Sequence, residues 1–165
     1  MSYPPVRYTG DVGAVSATYW PADTPPDLVT ARNRVGYLAT GASTNGEFGL
    51  YRWTMEPRSG GAEPHFHRTI SESFFVLSGH VRLFDGRTWV EGSAGDFLHV
   101  PVGGVHAFSN DADATAEMLI LFTPGAPREA YFEAMAEMAA SGRRLTGEEQ
   151  AAFLAEHDQY MVYTA

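Results

Sequence analysis

The feature that most restricts this chain is a rhythm. From Arg34 to Thr123 short apolar runs alternate with Gly, Asn, Asp and Pro. Turn residues recurring in this way predict strands at roughly ten-residue intervals, the spacing of an all-β sandwich or barrel. The expected strands are 35–39, 48–55, 73–77, 81–84, 88–90, 97–100, 105–109 and 115–122. Asp85-Gly86 between two of them is a strong hairpin signal, because Gly supplies the positive φ that a tight turn requires.

On either side of this block the pattern changes. Residues 1–33 hold five prolines and read as an extended arm, since proline removes donors from a sheet ladder. Residues 124–165 read as a helical tail packed on the outside of the barrel. Tyr131, Met135 and Met138 recur at helical spacing over 128–141, and Gly142 stands where a C-terminal cap belongs. Thr146 precedes Glu149 by three, a capping-box signature for a second helix through about Ala155.

Composition narrows the chemistry. The chain has 165 residues, enough for one domain with a real core, and 44% of them are apolar. Its formal net charge of −9 argues against nucleic acid and against anionic membrane surfaces as partners. All 11 basic residues are arginine, so no lysine offers Schiff-base chemistry. There is no cysteine, which excludes thiol nucleophiles and restricts a metal site to nitrogen and oxygen ligands. The opening Met1-Ser2-Tyr3-Pro4-Pro5 lacks the features of a signal peptide, so a soluble cytoplasmic protein is the expectation.

Four side chains stand out against this background. His65 and His67 are two apart on what reads as a strand, so their rings share one face. Glu72 follows after a short turn, and His106 comes from a distant strand behind the Pro101-Val102-Gly103-Gly104 turn. Three imidazoles and a carboxylate converging inside a β-barrel suit a divalent first-row metal with positions left for water or substrate. Strand parity extends the site. If Glu72 points inward, so do Phe74 and Val76; if His106 does, so do Phe108 and Asn110. On the strand from Phe48 the apolar Tyr51, Trp53 and Met55 share a face. Tyr51, Trp53, Phe74 and Phe108 are therefore the candidate pocket walls, although core packing alone also accounts for such residues. His80 and His157 look exposed, and His99 looks like a packed or surface residue.

Two stretches carry a family resemblance. Residues 60–79 resemble cupin motif 1, G(X)5HXH(X)3–4E(X)6G, at His65, His67, Glu72 and Gly79, with the leading glycine displaced by one. Residues 95–110 resemble motif 2, G(X)5PXG(X)2H(X)3N, at Gly95, Pro101, Gly103, His106 and Asn110. The chain is thus similar to single-domain metal-binding cupins, and in its intact glutamate and aromatic pocket to the quercetinase type that cleaves flavonols. The resemblance implies a jelly-roll barrel of two antiparallel sheets with His65, His67, Glu72 and His106 as metal ligands.

The expected function is a metal-dependent dioxygenase acting on a small aromatic or enolic substrate, with dioxygen as co-substrate. Glu72 would serve as both ligand and base. A non-redox cyclase or isomerase, or a small-ligand-binding cupin, are the alternatives. Iron, nickel, manganese, cobalt and zinc all remain open, since geometry and supply rather than affinity order select the metal. The proline-rich arm and the exposed sheet of a small barrel favour a homodimer.

Overall fold

The computed structural model describes residues 2–162. Among them ten strands precede two helices and a final short strand. They are β1 (Leu28–Val29), β2 (Asn33–Ala39), β3 (Gly49–Met55), β4 (Gly60–Phe66), β5 (Ser71–Ser78), β6 (His80–Phe84), β7 (Trp89–Ser93), β8 (Phe97–Val100), β9 (His106–Asn110) and β10 (Ala116–Thr123). Then come α1 (Arg128–Ser141), α2 (Gly147–Glu156) and β11 (Tyr160–Met161). One antiparallel sheet runs β1-β2-β3-β10-β5-β8 and the other β11-β4-β9-β6-β7. The two face each other as an all-β jelly-roll barrel.

β10 shows why the sequence folds this way. Ala116, Met118, Ile120 and Phe122 are buried, while Glu117, Leu119, Leu121 and Thr123 alternate toward the surface. A period of two puts one apolar face inward and the other outward. Its inner face meets Tyr51 and Met55 of β3 and Phe74 and Val76 of β5 in the core. At the β6–β7 turn the Asp85 carboxylate accepts hydrogen bonds from the backbone N–H groups of Arg87 and Thr88, both 2.8 Å. Gly86 there adopts φ +89°.

Two glycines are steric necessities. A Cβ at Gly61 would stand 1.8 Å from the Phe108 carbonyl oxygen across the β4–β9 pair. Gly79 has φ +72°, and a Cβ there would lie 2.6 Å from the Thr115 carbonyl oxygen.

The flanks depart from the sequence expectation in three ways. Residues 2–27 carry no helix or strand, but Leu28–Val29 leaves the arm to pair with β2. A short β11, with no sequence signal, pairs with β4 beside His65. The first helix is more than an outer brace. Its buried residues are Arg128 and Phe132, whereas Met135 of the expected apolar stripe is exposed. Phe132 enters the barrel mouth, edge-on to Tyr51 at 5.3 Å and to Trp53 at 4.9 Å between ring centroids. One large aromatic filling an aromatic-walled opening outweighs a weak stripe of flexible methionines. Gly142 takes the left-handed C-cap conformation, and both bonds of the Thr146–Glu149 capping box form.

Candidate metal centre

The four singled-out side chains meet between the sheets. His65 on β4 and His106 on β9 are direct cross-strand partners, with ring centroids 4.3 Å apart. His67 lies one residue beyond the end of β4, 5.0 Å from the His65 ring and 5.4 Å from that of His106. Glu72, near the start of β5, comes from the opposite sheet. Its Oε2 is 2.8 Å from His106 Nε2 and 3.0 Å from His67 Nε2. One nitrogen or oxygen atom from each residue falls within 4.8 Å of every other, and all four residues are buried.

Local structure holds each imidazole by its outer nitrogen. His65 Nδ1 meets the Glu63 carbonyl at 2.7 Å, His67 Nδ1 the Asp158 carbonyl at 2.5 Å, and His106 Nδ1 the Gly104 carbonyl at 3.0 Å. A carbonyl only accepts, so all three Nδ1 atoms carry the proton. The Nε2 lone pairs of neutral rings then point into the cluster, where two of them face a carboxylate oxygen. Lone pairs facing lone pairs need a cation between them, either a proton or a metal ion. The donor set therefore fits a divalent transition metal through three Nε2 atoms and Glu72.

The electrostatics follow the same logic. Burial, reinforced by the neighbouring His106, pushes His65 down to about 4, so it stays neutral. Burial also presses the Glu72 carboxyl upward, but the imidazoles of His106 and His67 outweigh it and hold the group well below the carboxylate range. For His106 burial acts downward and the Glu72 carboxylate overcomes it, so its affinity for a proton is raised.

The pocket residues divide. Phe74 packs on the His106 ring at 5.8 Å and on Phe108 at 5.6 Å, and Phe108 in turn meets Trp53 at 6.3 Å. These three rings form a continuous chain of contacts that begins at the cluster. Tyr51 is fully buried, but its hydroxyl donates to Glu129 of α1, away from the cluster. Asn110 points inward as parity requires, yet its amide is consumed by backbone. It donates to the carbonyls of Met55, Glu56 and Ala114 and accepts from Ala112 N–H. It ties the end of β3 to the loop after β9. His80 and His99 are exposed, and His99 Nδ1 meets Ser73 Oγ at 2.9 Å.

Sequence reasoning missed the contribution of the tail. His157 is half-buried rather than exposed, edge-on to Phe153 and tilted against Tyr131. The next residue, Asp158, adopts φ +53°. Its carbonyl fixes His67, and its carboxylate accepts from Arg68 N–H at 2.9 Å, Thr69 N–H at 2.8 Å and the Thr69 hydroxyl at 2.6 Å. Arg128 is buried beside this turn and donates to the His157 carbonyl at 2.7 Å and to Gln159 Oε1 at 3.2 Å. A polar Asp after a helix is an ordinary stop signal, so nothing in the sequence marked it as a partner of a histidine 91 positions earlier.

Comparison with known proteins agrees with this architecture. Residues 51–122 match the family model described as Cupin domain. A stretch of 98 residues, 59% of this chain, is 28% identical to quercetin 2,3-dioxygenase of Bacillus subtilis strain 168 but spans only 28% of that protein. Among solved structures, an RmlC-like cupin from Shewanella frigidimarina NCIMB 400 superposes with TM-score 0.56 at 18% identity, covering 68% of this chain and 93% of its own. KdgF from a Halomonas species gives TM-score 0.55 at 15% identity, covering 63% and 89%. At such identities the structural neighbours establish the fold. No helix among the described residues is long and apolar enough to cross a membrane.

Proposed function

We propose that this chain, a member of the cupin superfamily with its cupin domain at residues 51–122, is a metal-dependent dioxygenase acting on a small aromatic or enolic substrate. The observation that carries the reading is the buried set of three Nδ1-anchored imidazoles and one carboxylate, with its remaining lone pairs turned inward. The aromatic wall of Phe74, Phe108 and Trp53 beside it suits a flat ligand. The partial likeness to quercetin 2,3-dioxygenase supports the same direction.

His65, His67, Glu72 and His106 would hold the metal. A bound divalent metal lowers the proton affinity of oxygen donors that share it, which makes an enolic hydroxyl acidic enough to be deprotonated by a carboxylate. Glu72 then accepts that proton at a carboxylate oxygen, and the substrate is left as the enolate. Phe74 and Phe108 exclude water on one side, and Asp158 keeps His67 in the tautomer that presents Nε2.

One observation favours a second reading. Phe132 occupies the barrel mouth, which restricts the space open to a bulky flavonol. A compact substrate in a non-redox isomerisation or cyclisation fits that constraint. Elemental analysis after separate loading with iron, nickel, manganese, cobalt and zinc, followed by oxygen-uptake assays with quercetin and smaller enols, separates the two. Metal-dependent oxygen consumption is expected; stoichiometric metal with no oxygen uptake under any loading overturns the dioxygenase reading in favour of the non-redox one.

The working unit is a homodimer. Phe75 of β5 and Phe97 of the edge strand β8 are opposite each other and both exposed, an apolar pair on the outer sheet face. Wild-type protein should sediment as a dimer and Phe97→Glu should shift it toward monomer. A wild-type monomer at micromolar concentration removes the proposal.

A further inference from the structure

Among the described residues two buried side-chain polar atoms lack a hydrogen-bond partner, Trp53 Nε1 and Arg128 Nε. Both are N–H donors, and both flank the same side chain. The Phe132 ring lies 4.9 Å from that of Trp53, and the Arg128 guanidinium carbon is 5.5 Å from the Phe132 centroid. A buried donor without an acceptor costs on the order of 1–3 kcal/mol, so a pair on one aromatic ring calls for an explanation.

Arg128 sharpens the point. Its side chain is 4% exposed, yet among the described residues no carboxylate lies within ion-pair distance of it. Its protein partners are a carbonyl and an amide oxygen, both uncharged. Aromatic faces surround it, with Phe122 at 5.2 Å and Tyr131 at 4.4 Å. Guanidinium has five donors, and bracing the 157–159 turn consumes only two of them. A cation removed from water while its carboxylate neighbours, Glu72 and Asp158, both stand beyond ion-pair distance is a disfavoured arrangement unless something completes it.

The position connects this pair to the metal centre. Phe122 stands directly across the strands from Glu72, and its ring is 6.3 Å from His67. Trp53 reaches His106 through Phe108 and Phe74. Arg128 lies against that same Phe122 ring, its guanidinium carbon 5.2 Å from the centroid. In a chain of net charge −9, an anion needs such a local positive site to be drawn in.

We propose that Arg128 and Trp53 form an anion subsite that binds a carboxylate of the substrate, so that the natural ligand is a small carboxylic acid with an apolar body in contact with Phe132. The long 3.2 Å bond to Gln159 is the exchangeable one. An incoming carboxylate offers a shorter, charge-assisted bond in its place and an acceptor for Nε. The inference rests on the metal-centre reading only for where the rest of the substrate lies.

Salicylate and salicylamide make a matched pair of probes, one anionic and one neutral. In calorimetric titrations of zinc-loaded protein, wild type should bind salicylate about tenfold more tightly than salicylamide. With every sample saturated with zinc, Arg128→Gln should abolish that preference, Arg128→Lys should restore part of it, and Trp53→Phe should reduce it a few-fold. Equal preference in a folded, zinc-replete Arg128→Gln protein overturns the proposal, as does a wild type that does not discriminate. If the variants fail to fold, wild-type protein still decides. The Arg128 Nε–H and Trp53 Nε1–H resonances should move with salicylate and stay fixed with salicylamide; fixed resonances in both titrations overturn it. Repeating the titration after chelation separates the two readings. A chain that binds no metal loses the metal-centre reading, while an Arg128-dependent preference for salicylate in the stripped protein still upholds the subsite.

Discussion

The histidine- and glutamate-bearing strands and the C-terminal tail both build the candidate metal centre, and they do so by different physics. β4, β5 and β9 deliver His65, Glu72 and His106 by strand alternation, from positions fixed by sheet register. The tail delivers no ligand. It supplies Phe132 to the mouth, Arg128 behind Phe122, and the Asp158 carbonyl that orients His67. The strands decide which atoms converge; the tail decides how tightly one of them is aimed and how dry the site is kept.

The largest expected effect lies on the strand side. His106→Ala removes one of three imidazoles and leaves Glu72 buried with a lost partner. Metal affinity should fall by more than about a hundredfold, beyond the range that supporting partners normally control. Competition with a chromophoric chelator measures it. Retention of one tightly held metal per chain in that variant would mean that the ion sits elsewhere.

The tail's packing comes next. Phe132→Ala empties a buried ring that touches Tyr51, Trp53 and Phe122 and should cost about 3 kcal/mol in urea denaturation. Metal affinity should stay within a few-fold of wild type, because Phe132 contacts walls rather than ligands. A loss of only a few tenths of a kcal/mol would return α1 to the role of an outer brace.

Asp158 tests the link between the two regions. Asp158→Ala removes the carboxylate that holds Arg68, Thr69 and the turn carrying His67, so metal affinity should drop by about tenfold. Asp158→Asn keeps a side chain suited to positive φ and retains an acceptor, so its loss should be smaller. Identical affinities for wild type and Asp158→Ala would show that the strand alone fixes His67.

The same division explains what was legible in the sequence. His65, His67, Glu72 and His106 could be brought together on paper because a period of two and a turn-forming Pro-Gly stretch determine which way strand residues face. Turn spacing announced an all-β sandwich or barrel, the cupin resemblance implied that it is a jelly roll, and the Thr146–Glu149 cap followed from a local signature. Tyr51 shows the limit of parity. It faces inward, but its hydroxyl is claimed by Glu129, a residue whose place depends on how the helix docks. Asn110 likewise faces inward and spends its amide on backbone. Arg128, Phe132 and Asp158 carry no periodic signal at all. Their roles come from packing between segments far apart in the chain, which propensity and spacing do not encode.

The smallest effect separates stability of the tail from its service to the metal. α2 has its capping box at Thr146, and the turn that holds His67 follows its other end. Ten residues at 1.5 Å per residue put about 15 Å between them. Thr146→Ala removes the side chain that accepts from Glu149 N–H and should lower stability by about 1 kcal/mol. It should leave metal affinity within about twofold, because Leu154, buried near the far end, and the hydrogen bonds of Asp158 hold the turn independently of the cap. A metal-affinity loss as large as that of Asp158→Ala would mean instead that α2 transmits the state of its N-terminus along its length, and that the tail acts on His67 as one rigid lever.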